Sequence, residues 1–161
     1  MKPGTFTQLH IQLVFAVNHR KCMLNSIHRK EVFSYISGIV DNTGHKSLIV
    51  NGYADHIHIF FGLNPSKSIS DTVSIIKKAS NQFVNSKGWF SENFRWQDGY
   101  GAFSYSRNQV RDVYNYVLNQ ESHHGFQRFR DEYIEILKRE EIPFDDRFLF
   151  DFHDDIAYHQ I

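Results

Sequence analysis

The sequence predicts an α+β fold: an antiparallel sheet with helices on one face and an added helical region towards the C-terminal end. Three observations predict it. Strand-like and helix-like segments follow the order β-α-β-β-α-β, further helical segments come after the last strand, and no linker or repeat interrupts the 161 residues. This order is the split βαβ, ferredoxin-like plan, in which the second sheet face is free for a ligand. We expect a single domain over residues 1–161, with 151–161 as a flexible tail.

The first three elements follow from local patterns. QLHIQLVFAV (8–17) alternates between polar and apolar residues and then becomes wholly apolar, as a strand does when it enters a core. Asn25 or Ser26 is suited to cap a helix that extends to about Asn42 and carries an apolar stripe at helical spacing. KSLIVNGY (46–53) then predicts the second strand.

The later elements have similar signals. HIHIFFGL (56–63) predicts the third strand, and Ser68 or Ser70 begins a helix that ends before Gly88. AFSYS (102–106) predicts a short fourth strand after a glycine-containing aromatic loop. Two more amphipathic helices are predicted at 108–124 and at about 126–139.

Composition excludes several classes of protein. Lys and Arg total 18 and Asp and Glu total 18, so no global charge favours unselective binding to nucleic acid. Cys22 is the lone cysteine, which excludes an intramolecular disulfide and a cysteine-based zinc site. There is no apolar signal segment and no stretch of membrane-spanning length, so we expect a protein of the cytoplasm.

The third strand carries two histidines on one face. Side chains alternate along a strand, so His56 and His58 point one way, about 7 Å apart at Cα, while the isoleucines between and after them point to the core. Two neutral imidazoles at this distance can chelate one divalent metal ion. The alternative is a pair of exposed or hydrogen-bonded histidines, and the pair alone favours that alternative.

The third predicted helix offers partners for these histidines. Tyr116 and Gln120 are separated by one helical turn on a polar stripe and would project together. A divalent ion held by His56, His58 and the Gln120 amide oxygen would keep positions open for phosphate, and Tyr116 could act as a nucleophile beside it. The alternative is a solvated polar face. The buried stripe of the same helix is predicted to comprise Val110, Val113, Tyr114 and Val117.

These residues and their surroundings resemble the single-tyrosine HUH transposases of small bacterial insertion sequences, a family that includes repeat-associated relatives. Four segments match in order, from about Leu9 to Phe150: NGYADHIHIFFGL, WQDGYGAFSYS, YVLNQESHH and ILKREEIPFDDRFLF. The WQDGYGAFS run together with a Tyr-x-x-x-Gln helix is far more specific than the histidine pair. One departure is the run from Asn18 to Lys21, where the family often has a lysine, an aromatic and two basic residues.

The resemblance implies a metal-dependent endonuclease and strand transferase that acts on single-stranded DNA at hairpin-bearing ends. Tyr116 would be the nucleophile that forms a 5′-phosphotyrosine link, and His56, His58 and Gln120 would bind Mg²⁺ or Mn²⁺. It further implies a bacterial homodimer in which the tyrosine helix of one subunit can complete the site of the other. Two alternatives stay open: a domesticated, repeat-associated HUH nuclease, and a non-catalytic DNA-binding protein with the same fold.

DNA binding by a chain without net charge requires local positive clusters. Aromatic side chains can also stack on unpaired bases, for which Tyr100 and Trp96 are candidates, although core packing is an equal interpretation for Trp96. A solvated surface is the alternative for each basic cluster. The candidate DNA-contacting residues are Arg20, Lys21, Lys77, Lys78, Arg95, Tyr100, Arg107 and Arg111.

Overall fold

The computed structural model describes residues 2–125 and 127–153 and confirms the predicted fold class. Its four strands form one sheet in the order β2-β3-β1-β4, and each neighbouring pair is antiparallel. The strands are β1 His10–Ala16, β2 Lys46–Gly52, β3 His56–Gly62 and β4 Gly101–Tyr105. The helices are α1 Ser26–Asn42, α2 Ile69–Ser86, α3 Val110–Leu118, α4 Gln120–His123 and α5 Phe129–Arg139. No helix within the described ranges is long and apolar enough to cross a membrane.

The helices α1 and α2 cover the sheet face that the sequence pattern predicts as the core. Ile57, Ile59 and Phe61 of β3 are fully buried there against residues of both helices. The predicted caps are present: the Asn25 side chain accepts hydrogen bonds from two backbone N–H groups at the start of α1, and Ser68 accepts one at the start of α2. Local sequence signals therefore account for this half of the molecule.

The opposite sheet face, expected to be free, is packed by the C-terminal helices. Phe60 of β3 lies against Val113 and Val117 of α3, and Phe103 of β4 belongs to a cluster with Phe129 of α5. The central strands are buried on both faces, since Val14, Ala16 and Phe60 on the second face are apolar and need cover. His56 and His58 are consequently fully buried instead of facing solvent.

The predicted helix at 108–124 is divided into two. It starts with a 3₁₀ turn at Arg107–Gln109, α3 ends at Leu118, and α4 begins at Gln120. The Asn51 side chain of β2 donates hydrogen bonds to the carbonyl oxygens of Val117 and Leu118, at 3.0 and 3.1 Å. These bonds satisfy carbonyl groups at the end of α3, where the intrahelical partners are missing.

The prediction that Tyr114 lies in the core is wrong, because its side chain is 39% exposed. The inward stripe of this region is Val113, Tyr116, Val117 and Gln120, with the spacing i, i+3, i+4, i+7. It is rotated from the predicted stripe because Val113 and Val117 pack over the sheet. The two polar residues of the stripe are thereby turned towards β3.

The final segment of the described chain is fixed to the body of the protein. The Gln97 side chain bonds both the backbone N–H and the carbonyl of Asp151, each at 2.8 Å, and the Phe152 ring lies 5.5 Å from that of Phe129. The start of the predicted flexible tail is therefore packed. Residues 154–161 of that tail, and Phe126 at the predicted start of the last helix, lie outside the described residues.

Candidate active site

The two histidines of β3 converge on a buried carboxylate that the sequence analysis did not identify. Glu132 of α5 places Oε1 3.3 Å from His56 Nε2 and 3.2 Å from His58 Nε2. All three side chains are buried, and each offers a ligand atom within 4.8 Å of the others. This group has the composition and spacing of a divalent metal site.

Tyr116 and Gln120 join the same cluster from the other side of the carboxylate. Glu132 Oε2 accepts a hydrogen bond from the Tyr116 hydroxyl and another from Gln120 Nε2 at 2.8 Å. The Gln120 Oε1 atom lies 3.0 Å from His56 Nε2. The structure thus brings together all four residues that the sequence nominated for catalysis and metal binding, with Glu132 between them.

The signal for Glu132 was present in the sequence as an interruption of a pattern. The inward stripe of α5 is Phe129, Glu132, Tyr133 and Ile136, at spacing i, i+3, i+4, i+7. A carboxylate is rarely buried unless it is paired. An acidic residue on an otherwise apolar helical stripe therefore indicates that the carboxylate is paired with cationic groups or a metal ion in the core.

A second set of contacts orients the histidine rings. Asp55 Oδ1 lies 2.7 Å from His56 Nδ1, and Gln12 Nε2 lies 2.8 Å from His58 Nδ1. Tyr105 donates a hydrogen bond to Gln12 Oε1 at 2.9 Å and so fixes the amide. Because each Nδ1 has its own partner, each Nε2 is left to face the centre of the cluster, as in metal sites whose ligands are held by outer hydrogen bonds.

His124 adds a third imidazole. Its Nε2 lies 3.0 Å from Gln120 Oε1 and 3.2 Å from Glu132 Oε1, while Nδ1 lies 2.6 Å from the Gln127 carbonyl oxygen. The sequence analysis did not nominate this residue for the site. His124 ends α4, and its ring is buried in the cluster.

The electrostatics of the cluster centre on the negative charge of Glu132. Burial alone would raise the pKa of Glu132, but the nearby rings of His58, His124 and His56 hold it well below its ordinary value. Burial opposes protonation of His56 as well, yet Asp55 and Glu132 outweigh it and raise the pKa of His56 to about 10. Burial lowers the pKa of both His58 and His124 despite the same carboxylate. The cluster is thus an ionised carboxylate with one strongly basic and two weakly basic imidazoles.

Tyr116 is held as a phenol in this environment. Burial and the neighbouring Glu132 charge raise the pKa of Tyr116 well above its ordinary value, although Arg139 acts in the opposite direction. The hydroxyl already donates its proton towards a carboxylate oxygen. Formation of a nucleophilic oxygen here requires that the proton move along that hydrogen bond.

The predicted DNA-contacting residues lie on several separate elements. Lys77 is half-buried and its ammonium donates to the carbonyl oxygens of Gln97 and Gly99, both at 2.6 Å, so it ties α2 to the aromatic loop. Trp96 is core, with its indole N–H bonded to Ser80. Tyr100 is 39% exposed beside a groove next to β4. The other candidates are surface residues on the 3₁₀ turns, helices and loops: Arg20, Lys21, Lys78, Arg95, Arg107 and Arg111.

The same fold occurs in solved transposase structures. One is a candidate transposase from Deinococcus radiodurans R1, with a TM-score of 0.58 and 20% identity over 74% of this chain and 96% of that chain. Another is a REP-associated tyrosine transposase bound to a REP hairpin, with a TM-score of 0.56 and 16% identity over 98% of this chain and 99% of that chain. The comparison with curated proteins gives no significant match.

The fold is therefore that of the tyrosine transposase class, and a family model agrees with it. The model for IS200-like transposases matches residues 5–120, well over half of the chain. The protein belongs to the IS200-like transposase family, which confirms the resemblance drawn from the sequence. The match includes β1 to β4, the histidine pair, Tyr116 and Gln120, whereas Glu132 lies beyond it.

Proposed function

We propose that this transposase is a metal-dependent endonuclease and strand transferase that cuts single-stranded DNA at hairpin-bearing ends through a 5′-phosphotyrosine intermediate. One observation carries the proposal. A tyrosine hydroxyl, two imidazoles, an amide and a carboxylate converge in one buried cluster of a single chain. A tyrosine hydroxyl beside a candidate metal site is the arrangement that metal-assisted attack on a phosphate requires, which favours an enzyme over a protein that only binds DNA.

The covalent step is a transesterification at phosphorus. Tyr116 Oη attacks the scissile phosphate, a Tyr–O–P bond to the 5′ side forms, and the P–O3′ bond breaks. The phenolic proton passes to Glu132 Oε2, which already accepts the hydrogen bond from that hydroxyl, and the departing 3′ oxygen takes a proton from solvent. Strand transfer is the reverse reaction with a different 3′-OH as the attacking group, so no external energy source is needed.

The residues fit a divalent metal ion. His56 Nε2, His58 Nε2 and Glu132 Oε1 converge from two elements, and the Gln120 amide oxygen lies beside them as a fourth donor. Their mixture of nitrogen and oxygen donors suits Mn²⁺, and Mg²⁺ less well. A bound ion would polarise the phosphate and stabilise the charge that develops on it. We therefore extend the ligand set implied by the resemblance, His56, His58 and Gln120, by the carboxylate.

The remaining parts of the proposal concern the partner and the assembly. A hairpin-bearing single strand is the substrate class that we propose, supported by membership of the IS200-like family. We also propose that the protein acts as a homodimer in the bacterial cytoplasm.

The decisive experiment is incubation with hairpin-bearing single-stranded DNA and Mn²⁺ or Mg²⁺, followed by a denaturing gel. We expect a covalent protein–DNA adduct in the wild type and none in Tyr116→Phe. Tyr114→Phe is the matched control, because Tyr114 is on the same helix but its side chain faces solvent. An adduct that persists in Tyr116→Phe, or is lost in Tyr114→Phe, would contradict the assignment of the nucleophile.

A further inference from the structure

A cleft of about 480 Å³ opens beside Tyr116. Its walls come from five elements: Gln12 of β1, Tyr105 of β4, Gln109 of the 3₁₀ turn, Asp112, Val113 and Tyr116 of α3, and Arg139 and Glu140 at the end of α5. A volume of this order is typical of sites for small ligands and is sufficient for a nucleotide. Since Tyr116 belongs to its lining, the cleft is a route by which a phosphodiester can reach the hydroxyl.

Arg139 supplies positive charge to this lining. Its Nε donates to Glu140 Oε1 at 3.3 Å. Its charge opposes the rise in the pKa of the Tyr105 phenol, whose hydroxyl donates to Gln12 Oε1. The side chain is 54% exposed, so the planar donor groups remain accessible from the cleft. The charge also reaches Tyr116, because it opposes the rise in the pKa of that phenol.

We propose that Arg139 is a substrate-positioning residue that binds a phosphate of the DNA strand in this cleft and holds it for attack by Tyr116. This proposal rests on the proposed function. A guanidinium presents paired N–H donors that match two oxygens of one phosphate. Glu140 accepts from one of these donors, Nε, in the free protein, so a phosphate that binds at that edge must displace its carboxylate. Arg139 and Glu140 therefore act on DNA binding in opposite directions.

A role in the stability of α5 alone is the simpler interpretation of Arg139, since cations in the last turn of a helix are favoured by the helix dipole. Lys138 is in the same last turn and experiences the same dipole. However, its side chain lines a different groove with Gln127 and Asp131, on another side of the helix. Lys138→Gln therefore removes the same dipole interaction without touching the cleft, and serves as the matched control.

The binding test uses fluorescence anisotropy of a labelled hairpin-bearing single strand in the Tyr116→Phe background, where no cleavage interferes. We expect Arg139→Gln to weaken binding by about tenfold, the lower end of what a charge-assisted hydrogen bond contributes. The slope of log K against log salt should become shallower by about 0.7, the value for one lost phosphate contact on a single strand. Glu140→Gln should tighten binding, and Lys138→Gln should leave the affinity and slope near the parent values.

A purely structural role would not produce this pattern. Equal effects of Arg139→Gln and Lys138→Gln, or an unchanged salt slope in Arg139→Gln, would overturn the proposal. Arg139→Lys should recover part of the affinity, because it restores the charge but not the paired donors.

The adduct assay separates this proposal from the one on which it rests. With Tyr116 present, Arg139→Gln should slow adduct formation, and Glu140→Gln should not. A wild-type protein that binds hairpin DNA but forms no adduct would contradict the proposed function. The salt dependence of binding would still decide whether Arg139 contacts a phosphate.

Discussion

At the scale of single residues, Glu132 explains how two neighbouring histidines can be buried. Two buried imidazoles and a buried tyrosine would be costly if their polar atoms lacked partners. The Glu132 carboxylate is the partner of all three side chains. Its Oε1 faces the rings of His56 and His58, and its Oε2 accepts a hydrogen bond from the Tyr116 hydroxyl. One oxygen thus faces the groups suited to bind a metal, and the other accepts from the tyrosine hydroxyl.

Glu132→Gln should weaken Mn²⁺ binding by at least tenfold, because it removes the anionic ligand but preserves the shape of the side chain. The measurement is titration of the protein with Mn²⁺, followed by the EPR signal of the free ion. Glu135→Gln is the control, since Glu135 is an exposed carboxylate on the same helix. Equal Mn²⁺ affinity of Glu132→Gln and the wild type would show that the carboxylate is no ligand.

Asp55 leads to a prediction about pH. The pKa of His56 is raised to about 10 in the folded protein, from an ordinary value of 6.5, with Asp55 as a main cause. A raised pKa contributes stability that is fully present below pH 6.5 and is lost as pH rises through 10. In EDTA, Asp55→Asn should therefore lower the free energy of unfolding more at pH 6 than at pH 10, as measured by urea denaturation. A difference that stays constant between the two pH values would contradict the pairing.

At the scale of elements, the Asn51 side chain of β2 fixes the end of α3, and Gln120 continues the inward stripe just beyond that end. Asn51→Ala removes both side-chain bonds to the last carbonyls of α3 and should cost about 1–2 kcal/mol of stability. It should also slow adduct formation, because Gln120 directly follows the break. Asn115→Ala, on the exposed side of α3, should have little effect on either quantity. Unfolding curves and the adduct gel provide the two measurements, and equal behaviour of both variants would refute this role of Asn51.

The elements that the sequence predicts well are those with local causes. The strands, α1 and α2 are marked by alternation, apolar stripes and caps that lie within the segments themselves. The break after Leu118 depends on Asn51, which is 67 residues away in the chain, and the exposure of Tyr114 depends on how α3 packs over β3. Such contacts have no local signature. The spacing of Tyr116 and Gln120 predicts that they project together, whereas the carboxylate of α5 is marked only by the interruption of an apolar stripe.

At the scale of the whole molecule, the site exists because both faces of the sheet are covered. The α1 and α2 helices bury one face, and α3 and α5 close the other over the histidines of β3. Exclusion of water strengthens each charged interaction within the cluster. The same cover limits access to the cluster, so we expect DNA to approach through the cleft beside Tyr116 and not across an open sheet.

The described chain brings Tyr116 and the histidines together without a second subunit, so we expect catalysis within one chain even in a homodimer. The test joins Tyr116→Phe and His58→Gln chains that carry different affinity tags. Their heterodimers are isolated by two successive affinity steps and then assayed for the adduct. Neither chain has a complete cluster, so we expect no adduct. If the tyrosine helix served the partner's site, one of the two sites would be restored and an adduct would form on the His58→Gln chain. Failure to recover heterodimers, together with a monomer mass by light scattering, would contradict the homodimer itself.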